Sequence, residues 1–600
     1  MLLPSSTNDG PINAGSGDAA DMSIASERPF DQALVDRIVF GRWWIPQTYH
    51  VTITAVVLLF ALRFWSGRLW RRLRRDLSER TPARRRVSAP SERTPLLESL
   101  ELKSRPQEHA LLRTLRLRIR AILTYQPPPL PLFNKPLPSN ATTLLILFLL
   151  AINLTYLTYY TTATLPIFTA CLLDRAGLLF VANLPWLYLL AAKNQPLRFM
   201  TGHSYEGLNI LHRRLGEWMC FLAVAHVAGF FGFWWFYASP EAGEDAVAVL
   251  RGWLLQGFVL MGIGAFVAYE VLWATSLACF RRWWYEGFLS GHVVLQTAGL
   301  VLVFLHHPNA RLDVGVALAV FVVDRVVYRA AVKSRNMSAR VEVMEDGQTM
   351  LLSVDWPLTE RATWWRKMFG GDIILGWKPL EHIFVTAPTL GRAHGLQAHP
   401  FTIASAAPEG NQQHAWLSLI VRARDGFTRD LLHHAQVFST VPIRFDGPYG
   451  SQHAVEMVRS SDTVILVAGG SGIAVAYPVI WSLLHATKAG AGRIRCKHVA
   501  LIWIVREASH ISWIGMERLD ELRELGLHLV LPKPTSQTGR PDVRELLQEA
   551  VEETSSGLAG ERIGVVVSAP DAMNRDVDNA CAGMAWGRRN VRVAVEKFGW

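Results

Sequence analysis

The sequence predicts a multi-pass α-helical membrane domain of about seven spans followed by a soluble α/β half. Three observations carry this. Half of the 600 residues are apolar and the mean hydropathy is +0.18, high for a soluble chain. Apolar stretches of roughly 17–25 residues, the length a helix needs to cross a bilayer, recur through the first half. From about residue 338 the pattern changes to short β-branched runs, Gly turns and amphipathic helices.

The expected spans are 48–64, 143–163, 176–192, 215–236, 252–274, 289–307 and 312–328, the last being short and running into Asp324-Arg325. Residues 1–47 are rich in Ser, Gly and Asp and lack an apolar signal core, so a disordered extracytoplasmic N-terminus is expected there. The loop between the first two spans sets the topology. Residues 66–120 hold sixteen Lys and Arg against six Asp and Glu, which places the basic loop 65–140 on the cytoplasmic side. Alternation then puts the soluble half in the cytosol. The acidic segment 237–250 falls outside, and the basic "KNQPLR" and "FRRWWYE" fall inside. The net charge of +11 is thus explained by an anionic lipid surface, and no nucleic-acid partner is expected. Five cysteines make no CxxC pair, which argues against a zinc site or a disulfide framework.

Two apolar segments carry histidines at the same separation. "LHRRLGEWMCFLAVAHVAG" (211–229) has His212 and His226, and "GHVVLQTAGLVLVFLHHPN" (291–309) has His292 and His306, fourteen steps apart in each. Fourteen helical steps come within about 40° of four turns and rise about 21 Å, so each pair lies on one face near opposite membrane edges. Two such helices facing each other make two stacked bis-imidazole clamps, and imidazole is a standard axial ligand of haem iron. His307 competes with His306, since it lies fifteen steps from His292, about 60° past four turns. His50 and His203 have no partner in the pattern and read as interfacial.

In the soluble half, "AHPFTIASAA" (398–407) follows the strand-like "HIFVTAPT", and Phe401 and Thr402 offer the flat wall and hydroxyl that a flavin needs. An edge-strand turn reads equally well from those residues alone. "VRARDGFTRDLL" (421–432) turns at Gly426 into a helix, where Arg422, Thr428 and the helix N-terminus can hold a pyrophosphate. "DTVILVAGGSGIAVAYPVIWSLL" (462–484) is a buried strand, a Gly turn and a helix, with Gly469, Gly470 and Gly472 letting a diphosphate approach. Val475 stands where the dinucleotide fingerprint has its third Gly. Arg506 closes the strand "HVALIWIVRE", suited to the 2′-phosphate of NADPH, with Glu507 beside it. The chain stops at "VEKFGW", where Phe598 and Trp600 can cover a flavin ring or seal a core.

Together, "TGHSYEGLNILHRRLG", the paired histidines, "HPFT", "DGFTRDLL", "GPYG", "GGSGI" and "EKFGW" resemble the fungal-type ferric and cupric reductases, within the NADPH oxidase and ferric reductase superfamily. The resemblance covers roughly 140–600. It implies a ferric reductase transmembrane domain with two b-type haems (141–335), then a ferredoxin-reductase-like module: a β-barrel FAD-binding domain (336–455) and an α/β NADP-binding domain (456–600). His212, His226, His292 and His306 match the haem-ligand positions, His399, Pro400, Phe401 and Thr402 the flavin motif, and Gly469, Gly470, Ser471, Gly472 and Ile473 the pyridine-nucleotide motif. Ser568-Ala569-Pro570 stands where the family commonly shows Cys-Gly-Pro, making Ser568 and Pro570 candidate NADPH contacts. The implied activity is NADPH-dependent reduction of ferric iron, ferric chelates or cupric ion across a membrane. The plasma membrane is the expected site, with a vacuolar or other endomembrane as the variant, and an iron permease or transporter the expected partner. Superoxide production by an NADPH oxidase is the alternative, and a non-catalytic haem-binding scaffold is a third reading.

Overall fold

The computed structural model describes residues 32–79, 107–131, 136–161, 164–194, 196–203, 205–242, 245–326, 333–359, 373–391, 394–395, 397–408, 412–450, 452–488, 495–555 and 560–596. The membrane half is built from α1 (Gln32–Glu79), α2 (Gln107–Thr124), α3 (Asn140–Thr158), α4 (Leu165–Ala191), α5 (Tyr205–Phe233), α6 (Gly257–Thr275), α7 (Tyr285–His306) and α8 (Arg311–Val322). Among the described residues six helices are long and apolar enough to cross a bilayer: those within Val35–Trp70, Asn140–Thr158, Leu165–Ala191, Gly207–Phe236, Gly257–Thr275 and Tyr285–His306.

The seventh expected span, 312–328, begins as α8 and continues as a π-helical turn to residue 326, where Asp324 accepts from Asn194 N, just past the end of α4, at 3.0 Å; residues 327–328 lie outside the described residues. One expectation is corrected here. The first helix starts at Gln32, so residues 32–47 are helical rather than part of a disordered terminus. "FGRWWIPQTYH" supplies the aromatic surface that packs there: Trp44 stacks on Tyr156 at 4.3 Å, and Ile45 and Tyr49 are fully buried. Pro46 passes without ending the helix, as proline does where neighbouring helices support the backbone.

Helix α4 is the centre of the bundle. It packs along α5 and also against α1, α3 and α8, and 44% of its apolar window is buried, more than in any other described span. Without water or a hydrophobic gradient between helices, polar side chains and close backbone approach hold such a bundle together. Tyr49 Oη donates to Asn183 Oδ1 at 2.6 Å, and Asn183 Nδ2 donates to Asn153 Oδ1 at 2.9 Å, joining α1, α3 and α4. Gly229 brings α5 onto α4 so closely that a Cβ there would lie 2.6 Å from the Leu173 nitrogen.

The soluble half begins with six antiparallel strands: β1 (Ser334–Val343), β2 (Thr349–Pro357), β3 (His382–Thr386), β4 (His399–Thr402), β5 (His414–Arg422) and β6 (Thr440–Tyr449), in the order β4-β3-β6-β1-β2-β5. A bridge between Ile403 and Leu419 joins the two ends and closes the barrel, with α9 (Phe427–Ala435) between β5 and β6. After α10 (His453–Arg459) come β7 (Thr463–Gly469), α11 (Ile473–Lys488), β8 (His498–Ile504), α12 (Met516–Glu524), β9 (Leu527–Val530), α13 (Val543–Thr554), β10 (Arg562–Ser568), α14 (Asp571–Trp586) and β11 (Asn590–Val595). Their sheet is parallel, ordered β11-β10-β7-β8-β9, with an apolar core on each face, which is why these strands read as unbroken apolar runs. Asp346, in the β1–β2 turn, accepts from Trp513 Nε1 at 3.3 Å and fixes the barrel against the parallel-sheet domain.

Asn183→Leu removes both interhelical bonds of that residue. It is expected to destabilise the membrane half by about 1 kcal/mol. The check is the unfolding midpoint of detergent-solubilised protein; an unchanged midpoint contradicts the role given to the asparagine.

Candidate functional site

All four predicted histidines sit in helices, and each commits its Nδ1 to an acceptor. His212 Nδ1 lies 3.0 Å from the Leu187 carbonyl and His226 Nδ1 2.6 Å from the Leu173 carbonyl, both on α4. His306 Nδ1 lies 2.6 Å from the Phe258 carbonyl on α6. His292 Nδ1 lies 3.2 Å from Ser276 Oγ, whose own proton goes to the Leu272 carbonyl at 2.6 Å. A carbonyl only accepts, so Nδ1 carries the proton and Nε2 keeps its lone pair. That is the tautomer of a metal-ligating histidine oriented by a second bond.

The structure brings His226 and His306 opposite each other, with ring centroids 6.3 Å apart and planes nearly perpendicular at 86°. Two imidazoles sharing one metal through bonds of about 2 Å have their centres roughly 6 Å apart. Glycines make room for both rings. A Cβ on Gly177 would lie 2.9 Å from His226 Nδ1, and one on Gly262 2.7 Å from His306 Nδ1. Each glycine stands four residues after the carbonyl that its histidine uses, Leu173 and Phe258, where a side chain would cover that oxygen. His212 and His292 stand on the same two helices, fourteen residues before His226 and His306. Among the described residues no three His, Cys, Asp or Glu gather to hold a bare ion. A two-imidazole site therefore suits a metal whose remaining positions come from elsewhere, and a porphyrin supplies four. The residues fit haem.

His307 takes a different place. It ends the helix in extended conformation, and its Nδ1 accepts from Asn309 N at 3.2 Å. His50 lies outside the paired pattern: its Nδ1 accepts from Trp186 Nε1 at 3.2 Å, and its Nε2 lies 3.0 Å from Asp313.

In the barrel, His399, Pro400, Phe401 and Thr402 form β4. His399 stacks on Phe427 at 4.3 Å and 13°, an aromatic the sequence reading passed over. Its Nε2 is buried without a hydrogen-bond partner among the described residues, a polar atom left for a ligand. Gly426 adopts φ +57° at the N-terminus of α9, with the Glu286 carboxylate 2.8 Å from where a Cβ would stand. Thr428 Oγ1 accepts from Arg424 N at 2.9 Å, which shapes the turn. Arg422 ends β5 next to Thr349 of β2. The barrel residues fit a flavin nucleotide. Phe598 and Trp600 lie outside the described residues.

Across the parallel sheet, Gly469 ends β7, and Gly470, Ser471 and Gly472 form one tight turn before Ile473 opens α11. Gly470 takes φ +54°, and the fully buried Trp503 donates to its carbonyl at 3.0 Å. Gly472 lies so close to β10 that a Cβ would stand 1.9 Å from the Ser568 carbonyl oxygen. Ser568 Oγ is buried with no partner among the described residues, facing the strand-end crevice where such sheets bind nucleotides. Pro570 follows in the turn that Asn574 Nδ2 ties down through the Ala569 carbonyl at 2.6 Å. Arg506 is exposed at the end of β8, its carbonyl held by Ser536 Oγ at 2.6 Å. His510, also missed from sequence, is buried and stacked on Trp513 at 4.3 Å. Its Nε2 lies 3.8 Å from the Asp346 carboxylate in the β1–β2 turn.

Sequence models of three families match this chain. They are the ferric reductase like transmembrane component over residues 176–303, an FAD-binding domain over 371–453 and the ferric reductase NAD binding domain over 461–531. The chain is similar to the ferric reductase family over residues 176–303 and 461–531. The first matched stretch contains His212, His226 and His292 and stops three residues before His306. The chain is 26% identical over 364 residues to the ferric/cupric reductase transmembrane component 7 of Saccharomyces cerevisiae, covering 59% of this chain and 53% of that protein. It is 25% identical over 359 residues to the probable cell surface ferric reductase kap2 of Aspergillus oryzae, covering 57% and 44%. The chain thus spans about half the length of these curated relatives. Among solved structures, a ferredoxin reductase in carbazole 1,9a-dioxygenase aligns over 44% of this chain and 70% of that one, at 14% identity and a TM-score of 0.29.

Two expected outcomes follow from this geometry. Gly262→Leu pushes His306 out of its place, so the pyridine haemochrome signal per chain is expected to fall, whereas His307→Ala leaves it unchanged. The reverse pattern reassigns the outer ligand. For the barrel, burial, with the neighbouring His394 adding to it, pushes His399 down to about 4. An unfolded chain protonates this histidine first, near pH 6.5, so the folded state loses stability as pH falls from about 6.5 towards 4. Denaturation midpoints at pH 7 and pH 5 should show that slope, flattened in His399→Gln.

Proposed function

We propose that the protein is a transmembrane metalloreductase that takes electrons from NADPH on the face carrying the soluble half and delivers them to ferric iron, a ferric chelate or cupric ion on the other face. The observation that carries this reading is the set of four intramembrane imidazoles with Nδ1 committed and one pair 6.3 Å apart. Ionisable side chains within spans are costly and mark function. The similarity to ferric and cupric reductases supports the same reading.

When bound, FAD supplies the conversion of two-electron into one-electron chemistry, and two haems supply a one-electron route through a slab where free charge is prohibitively unfavourable. The chain's own residues do the holding and orienting. His212 with His292, and His226 with His306, would each hold one haem. Their Nδ1 bonds prevent the rings from turning away. Phe401 and Thr402 would flank the flavin, with Arg422, Gly426 and Thr428 at its diphosphate. Gly469 to Ile473 would admit the NADPH diphosphate to the N-terminus of α11, and Arg506 would meet its 2′-phosphate. Ser568 Oγ would give the nicotinamide a hydrogen bond where a thiol would only pack.

The basic loop supports a soluble half in the cytosol and an N-terminus outside, and the reading takes the plasma membrane as the site and an iron permease or transporter as the class of partner that would take the product. The test is NADPH consumption by purified, cofactor-loaded protein with ferric chelate, cupric ion or oxygen as acceptor. Metal-dependent turnover unaffected by superoxide dismutase is expected. Turnover that needs only oxygen and yields superoxide replaces this reading with an oxidase, and a haem never reduced by NADPH replaces it with a scaffold. Arg506→Ala is expected to raise the KM for NADPH about tenfold and leave that for NADH unchanged; equal effects on both remove the 2′-phosphate role.

A further inference from the structure

Helix α2 lies within the basic loop, before the first residue matched by any of the three family models. Its sequence, QEHALLRTLRLRIRAILT, presents two distinct faces. On one face Leu117 and Ala121 are buried, and α2 packs on α14 of the parallel-sheet domain. Arg120 donates to Asn590 Oδ1 at 3.0 Å, Arg118 lies over the Trp586 ring at 5.3 Å, and just beyond the helix Gln126 and Asn579 exchange two bonds of 2.9 and 3.1 Å. This face is a clamp.

The other face is apolar and open. Leu111, Leu112, Leu115, Ile119 and Ile122 are each between 48% and 70% exposed. At 3.6 residues per turn they fall within an arc of about 100°, bordered by Arg118 on one side and Arg116 on the other. Such an arc on a soluble protein is an unexplained liability. Its position explains it. At the C-terminal end of α2, Asn140 N donates to the Tyr125 carbonyl at 3.0 Å and Asn140 Nδ2 to the Ile122 carbonyl at 2.8 Å. Asn140 is the first residue of the spanning helix α3, whose Leu144, Leu147 and Phe148 are exposed where lipid would lie. The open stripe of α2 therefore ends at the level where a span enters the bilayer. A basic amphipathic helix at that level is built for the interface between acyl chains and anionic headgroups.

We propose that α2 is an in-plane membrane anchor: its Leu111 to Ile122 stripe lies in the lipid surface, Arg116 meets anionic headgroups, and its opposite face, with Arg118 on the Trp586 ring, holds the parallel-sheet domain against the membrane. This rests on α3 being a span and is independent of which acceptor is reduced.

The full chain in nanodiscs of phosphatidylcholine and phosphatidylserine tests it. Cys279 is the exposed cysteine among the five and is first changed to Ser. A spin label is then placed by Leu115→Cys on the stripe or by Arg113→Cys on the far side of the helix. The stripe label is expected to collide several-fold more with oxygen than with a water-soluble nickel chelate, and the Arg113 label the reverse. Equal nickel access at both positions, or a stripe label shielded from both reagents by protein, overturns the proposal. Omitting phosphatidylserine, or introducing Arg116→Gln, is expected to shift the stripe label towards water; no shift in either case overturns the headgroup contact.

Discussion

Inside a bilayer a donor without an acceptor is far more costly than in water, and this constraint organises the membrane half. An imidazole must give its N–H to something. Here each histidine gives it to a carbonyl or hydroxyl on a neighbouring helix or its end, which leaves the other nitrogen deprotonated and pointing away from that helix. The bonds also fix helix separation, because the acceptors are mostly backbone and cannot move independently. Small residues follow from the same demand. Gly177, Gly229 and Gly262 occur where helices or rings must come within contact of one another's backbone.

Much of this was legible in the sequence. Equal spacing of histidines in two apolar segments gave the pairs, and hydropathy located six of the seven expected spans. Residue types could not give the acceptors: a carbonyl of Leu173, Leu187 or Phe258 looks like any other carbonyl. The glycines four positions on were the available trace, and a lone glycine in a span is too common to read alone. Helix α1 was placed too short because a window tuned to bilayer thickness ignores aromatic surface beyond its ends. The basic loop read as charge alone, since its apolar stripe has the period of a helix but is too short and too interrupted by arginine to be a span.

The nucleotide turn shows where a motif departs without losing its geometry. The third glycine of the dinucleotide fingerprint serves close packing of helix on strand. In this chain Gly472 makes the closest approach, to the Ser568 carbonyl, and Val475 is accommodated one turn later in a buried position. The mismatch in the motif therefore shifts a contact rather than removing it. A similar economy joins the halves of the molecule: Arg68, on the extension of α1 beyond the bilayer, lies 2.8 Å from Glu456 at the junction of barrel and parallel sheet.

The acceptors on α4 carry one further consequence. Leu173 and Leu187 are fourteen residues apart, as are His226 and His212, and the paired numbers run in opposite directions along the two helices. Two antiparallel rods of equal pitch thus behave like a ruler and its mirror image. Inserting or deleting one residue between the marks on either rod turns every later position by about 100° and displaces it by about 1.5 Å, so one site is always lost. Length variation in this region can be tolerated only in the connecting loops, and the distance between the two centres is as invariant as the helical repeat itself.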